Sequence, residues 1–189
     1  LSATERELAS AIFRAMVKDA EVMVREALAH NLKSNRDLPR DVALSLAKDI
    51  ESVSLPVLEY STVLGDEDLI EIVRVAGVEK QTAIARRAEV SGAVAEALVD
   101  HSRHPSVVST LVANPGAKLA PPLIEKVIEK HGDIIEVKNS LARRPDLPVK
   151  LAERLVAAVS ETLRDFLLTR REISPDQATD LVIQARERA

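Results

Sequence analysis

The side chains best equipped for chemistry in this sequence are paired arginines: Arg86 with Arg87, Arg143 with Arg144, and Arg170 with Arg171. A guanidinium offers a planar fork of donors, so pairs brought into line could hold phosphates or carboxylates in bidentate fashion. Two plainer readings weigh more. Cations suit the last turn of a helix, where the macrodipole is negative. Nearby acids such as Glu89, Asp146 and Glu172 also stand ready to pair with them.

Other chemistry is thinner. His101 and His104 are spaced to share one helical turn in His-Ser-Arg-His-Pro. Zinc wants three or four ligands, and no third ligand has suitable spacing, so a solvent-facing turn is the better reading. Asp66, Glu67, Asp68 and Glu71 cluster without the glycine and ligand order of a calcium loop. Carboxylates at a helix start account for them, since the dipole there favours negative charge. With no cysteine, thiol nucleophiles, thiolate metal sites and disulfides are excluded. No Gly-x-Ser-x-Gly elbow is present, and the five glycines are scattered rather than gathered into a phosphate-cradling loop. The expectation is a protein that is not an enzyme and carries no cofactor or metal.

What positions these residues is a repeat. Apolar residues at Leu38, Leu64, Val90, Leu119, Leu147 and Ile173 follow one another at steps of 26, 26, 29, 28 and 26 residues. A near-constant period in this range marks stacked helical units. Eight residues after each anchor stand Leu46, Ile72, Leu98, Val127, Leu155 and Leu181; five after stand Ala43, Leu69, Ala95, Ile124, Ala152 and Ala178. Six before stand Leu32, Leu58, Ile84, Ala113, Leu141 and Leu167. Apolar residues three or four apart line one face of a helix. The residue after each anchor is Pro39, Gly65, Ser91, Ala120, Pro148 or Ser174, types that suit the start of a helix. Each anchor is therefore a corner between two helices, and the arginine pairs sit at three of the corners.

The chain is expected to be an all-α, right-handed solenoid of about six two-helix repeats, forming one domain over residues 1–189. Ser2 and Glu5 have capping-box spacing and open a helix over 1–18 that covers one end of the array through Leu8, Ile12 and Met16. A second helix is expected from near Asp19. Repeats then run approximately over 19–50, 51–80, 81–104, 105–133, 134–161 and 162–189. Pro56 is placed in the first turn of a helix, Asn114-Pro115-Gly116 breaks the fourth repeat, and Gly132 ends a helix. The last helix, ending in Arg186-Glu187-Arg188, has no polar cap, which leaves its apolar face for further chain or for a partner, a second copy in a homodimer included.

The segments Leu38-Pro39, Leu58-Glu59-Tyr60-Ser61, Ala83-Ile84-Ala85-Arg86-Arg87, Leu111-Val112-Ala113-Asn114 and Arg144-Pro145-Asp146-Leu147-Pro148 resemble an alphaproteobacterial family of unknown function. That family is built of HEAT-like or leucine-rich-variant helical repeats, and the similarity covers nearly the whole chain. It implies an all-helical solenoid and carries over no catalytic residues.

Composition sets the partner class. The formal net charge is −4, and the stretch from Asp37 to Lys80 holds ten acids against four bases. Aromatics are limited to Phe13, Tyr60 and Phe166, too few for base-stacking platforms. No apolar run approaches the roughly 18 residues of a membrane span, and no signal peptide is visible. These features favour a cytoplasmic scaffold or regulatory adaptor for a protein or peptide, with Arg86, Arg87, Arg143, Arg144, Arg170 and Arg171 as its candidate contact residues. The alternative is phosphate-backbone binding through the same arginines, which the acidic balance disfavours.

Overall fold

A computed structural model describes residues 2–19, 21–132, 134–144, 147 and 151. Among them lie ten helices: α1 (Ala3–Asp19), α2 (Val22–Leu32), α3 (Arg40–Lys48), α4 (Glu51–Tyr60), α5 (Asp66–Val75), α6 (Val78–Ala85), α7 (Gly92–His101), α8 (Pro105–Ala113), α9 (Pro121–His131) and α10 (Ile135–Ala142). The described residues form no strand, only one isolated parallel bridge between Val90 and Ala117.

Packing follows the sequence pattern. The even-numbered helices stack in order, α2 on α4, α4 on α6, α6 on α8 and α8 on α10, while α1 packs on α3 and α5 on α7. A helix with a neighbour on either side must bury two adjacent ridges. Accordingly α4 buries Val53, Ser54, Val57 and Leu58, and α8 buries Val107, Val108, Leu111 and Val112. The anchors Leu38, Leu64, Val90, Leu119 and Leu147 are all buried. So are Leu46, Ile72, Leu98 and Val127 eight residues later, and Ala43, Leu69, Ala95 and Ile124 five residues later. Each fully buried leucine or isoleucine contributes about 1.5–3 kcal/mol relative to an exposed one. Ile173, Leu155, Leu181, Ala152, Ala178 and Leu167 lie outside the described residues.

The connections are of two lengths. Long ones of five to seven residues join α2 to α3, α4 to α5, α6 to α7 and α8 to α9; short ones of two or three join α3 to α4, α5 to α6, α7 to α8 and α9 to α10. The residue after each anchor is the N-cap of the next helix: Pro39, Gly65, Ser91 and Ala120. Ser91 Oγ accepts from the Val94 N–H at 3.2 Å, and the carboxylate of Asp68 accepts from the Gly65 N–H at 3.1 Å. Ser2 and Glu5 close their reciprocal capping box at 2.7 and 3.3 Å.

Four local expectations shift. In α1, Leu8 and Ile12 are 63% and 48% exposed, whereas Phe13, Met16 and Val17 meet the core. The packed stripe is thus rotated by about one residue and confined to the C-terminal half, where Arg14 reaches Asp41 on α3 at 2.6 Å. Helix α2 starts at Val22 behind Glu21, because α1 continues to Asp19. Pro56 stands inside α4 rather than in its first turn. It withholds an N–H from the carbonyl of Ser52, an exposed residue whose carbonyl water can satisfy. Ala113 is exposed, and Leu111 and Val112 take the buried place. The 29-residue step lengthens the connection after α8, so counting six back from Leu119 stops short of the buried ridge.

Candidate functional site

The long connections lie side by side and are stitched by side chains. Arg87 follows the end of α6 and donates from Nη1 to the carbonyl of Leu58 at 2.5 Å and from Nη2 to that of Ser61 at 2.6 Å. Asn114, the C-cap of α8, donates from Nδ2 to the carbonyls of Ala85 and Arg87, both at 2.8 Å, while its Oδ1 accepts from the Gly116 N–H. Arg144, after α10, donates to the carbonyls of Val112, Asn114 and Ala117, each at 3.0 Å. The residues that follow α6, α8 and α10 thus cap C-terminal carbonyls of the even helix before each, groups that a helix leaves orphaned.

The described part of the arginine ladder therefore divides. Arg144 is 6% exposed, and burial pulls the Arg87 guanidinium below its ordinary pKa against the opposing charge of Asp66. Both forks are turned onto backbone. Arg86 and Arg143, the C-caps of α6 and α10, are exposed. Arg170 and Arg171 lie outside the described residues.

Between the second and third long connections lies an open groove of 390 Å³ lined by residues that include Tyr60, Asp66, Arg87, Glu89 and Lys118. Leu64, Leu69, Val90 and Val94 supply apolar lining. Tyr60, 49% exposed, is the aromatic residue at its rim, and Lys33 Nζ stands 4.6 Å from the ring centroid. The wall mixes both signs of charge, with Arg87 fixed in it by the carbonyls it caps.

The acidic cluster is structural in large part. Asp68 is 5% exposed and takes Arg40 at 3.0 and 2.6 Å, which, ahead of the Gly65 N–H, holds its carboxyl below the usual range. Glu71 pairs with Lys48 at 2.8 Å. Asp66 and Glu67 stay exposed. His101 ends α7 and His104 precedes α8, both exposed on the short-connection edge. No group of three or more histidines and carboxylates gathers as metal ligands among the described residues.

Sequence reasoning missed Asn114 as a cap, because its turn chemistry with Pro115 and Gly116 hid the reach of its amide. It also missed the buried node on the opposite edge. There Gln81 donates to the Val73 carbonyl at 2.9 Å and accepts from Ser102 Oγ at 2.7 Å, tying α5, α6 and α7 together. The signal for that node was a glutamine at an otherwise apolar position of α6.

Stacked helices, carbonyl-capping side chains and a mixed-charge groove define the described residues as an all-helical array. The chain belongs to a bacterial family described as an uncharacterised protein conserved in bacteria (DUF2336), which it matches over residues 53–189. No curated protein and no solved structure matches it. No helix among the described residues is long and apolar enough to cross a membrane.

Proposed function

We propose that this chain is an α-solenoid of about six HEAT-like two-helix repeats, closed at one end by α1, that acts as a cytoplasmic, non-enzymatic scaffold or adaptor for a protein or peptide. The resemblance to alphaproteobacterial HEAT-like and leucine-rich-variant repeats and the order in which the even helices stack support the architecture. The observation that carries the function is the corner groove, with Tyr60 exposed at its rim and carboxylates and cations interleaved along it. Tyrosine gives a large, stiff contact surface, and mixed charge sets the register of a polypeptide better than it tolerates a polyanion.

Phosphate-backbone binding through the ladder draws less support. It calls for free guanidinium forks in line, and Arg87 and Arg144 spend theirs on carbonyls.

The test is site-specific photo-crosslinking in the native bacterium, with the reactive side chain at position 60 and, as control, at exposed Glu125 on α9. A polypeptide adduct from position 60 that is absent from the control and lost on Glu89→Lys is the expected result. Adducts equal at both positions, or adducts to nucleic acid, overturn the reading.

A further inference from the structure

The short-connection edge holds a second groove, of 480 Å³, between the turn joining α5 to α6 and the turn joining α7 to α8. Its charged lining is Arg74 and Arg103 with His101, His104 and Asp100. Arg74 and Arg103 are exposed and make no hydrogen bond or ion pair with the described residues. The one lining carboxylate, Asp100, is already held by Lys126 and Lys130, both at 2.7 Å. Gln81 at the floor has its amide committed at both ends, to Val73 and Ser102, so it offers no free acceptor to a cation. The histidine pair that lacks a third metal ligand stands on the same wall.

Exposed arginines without an ion pair among the described residues also stand at Arg86 and Arg143; Arg74 and Arg103 differ in lining one groove together. Arg14, Arg40 and Lys48, by contrast, are already paired with carboxylates. The groove also meets the start of α6. Its N-cap, Gly77, has no side chain to cap the first turn, and a Cβ there would meet nothing within 4 Å. Backbone N–H groups and two forks can thus approach one small anion from different sides.

We propose that this groove is a binding site for a phosphoryl group, held between Arg74 and Arg103 with His101 and His104 beside it. The volume falls within the about 300–1,000 Å³ of small-ligand clefts. Arginine forks match the tetrahedral oxygens of a phosphate better than a single carboxylate, and a dianion uses both cations at once. The site is separate from the corner groove and does not depend on its role. The phosphoryl group can arrive on a free metabolite-sized ester or on a phosphorylated side chain of a polypeptide; the recognising chemistry is the same.

The experiment is a titration of the full ¹⁵N-labelled chain with inorganic phosphate at constant ionic strength, followed by amide shifts. Saturable shifts centred on Gly77, Val78 and Arg103 are expected, with at least a tenfold loss of affinity in Arg74→Ala/Arg103→Ala. Gly77→Asp supplies the missing cap and sets a carboxylate in the groove; it is expected to keep or raise the melting temperature while abolishing the phosphate shifts. Glycerol phosphate and a phosphoserine pentapeptide then identify the source. A peptide at least tenfold tighter than the ester assigns the group to a polypeptide, and equal affinities assign it to a small molecule. Shifts that never saturate, that spread equally to Arg86 and Arg143, or that persist in the double arginine variant overturn the site.

Discussion

The two edges of this molecule use arginine in opposite ways. Along the long connections, Arg87 and Arg144, with Asn114 between them in the stack, reach back to the preceding helix and take up seven carbonyl contacts. Along the short connections, helix ends close largely on themselves. The Ala76 N–H bonds the Ile72 carbonyl and the Ser102 N–H bonds the Leu98 carbonyl, both at 2.9 Å, and Lys80 covers the carbonyls of Ala47 and Asp49. A connection of two or three residues brings few carbonyls of its own, whereas one of five to seven exposes several that need donors. Longer connections thus create the need that Arg87 and Arg144 meet, while Arg86 and Arg143 beside them, like Arg74 and Arg103 on the other edge, stay exposed.

The sharpest way to break this contrast is to delete one arginine from each edge. Arg144→Ala leaves the carbonyls of Val112, Asn114 and Ala117 without that donor in a buried setting. At about 1–3 kcal/mol for an unsatisfied buried group, with partial relief by water, the loss should reach about 3 kcal/mol. Arg103→Ala, exposed and without partners, should stay within about 0.5 kcal/mol. Urea unfolding of both variants measures the pair. Equal losses would mean that the two edges do not differ in kind.

The close approach of the long connections gives the next effect. Val90 bridges to the connection after α8, its N–H donating to the Gly116 carbonyl at 3.1 Å and its carbonyl accepting from the Lys118 N–H at 2.9 Å. A Cβ on Gly116 would lie 1.9 Å from the Ala88 carbonyl oxygen. Gly116→Ala should cost about 1–3 kcal/mol, the range for forced overpacking, and Gly77→Ala on the opposite edge far less. Thermal unfolding of the two alanine variants makes the comparison, and a tolerant Gly116 would show that the connections are not held against each other.

Much of this was legible in the sequence, for a physical reason. Burial at Leu64, Val90, Leu98 and Val127 is imposed by period and hydropathy, which every residue reports locally. The division of the ladder was not legible, because Arg86 and Arg87 are adjacent and alike in type. Only the path of the chain after α6 shows that one turns inward to Leu58 and Ser61 while the other faces solvent. Arg74 and Arg103 escaped notice because an arginine without a partner leaves no trace in spacing. The acidic cluster, by contrast, was read as charge at a helix start, and Asp68 sits there accepting from the Gly65 N–H.

Asp68 gives the long-connection edge a pH dependence. Its carboxyl is depressed, first by the Arg40 hydrogen bond, so its stabilising share is present above the unfolded value of about 3.9 and is lost as pH falls through the lower folded value. Asp49 with Arg25 and Asp100 with Lys126 and Lys130 carry the same sign. Asp68→Asn keeps an acceptor for the Gly65 N–H and loses the ion pair. Because Arg40 is 60% exposed and screened, the cost at pH 7 should be about 1 kcal/mol. Below about pH 4 the variant and wild type should converge. A constant gap across that range would place the effect in packing instead.

The smallest effect falls on the outward members of the ladder. Arg86 and Arg143 are exposed at the ends of α6 and α10, where a cation gains only from the helix dipole. Arg86→Glu and Arg143→Glu reverse that term, yet each should lower stability by no more than about 1 kcal/mol. Because these variants still fold, they isolate what the long-connection edge does on its surface from what it does inside. Loss of the position-60 crosslink in Arg86→Glu with unchanged urea midpoint would extend the partner's footprint from the groove onto α6. Retention would confine it to Tyr60, Asp66, Glu89 and Lys118, and leave the arginines of this edge as parts of the frame alone.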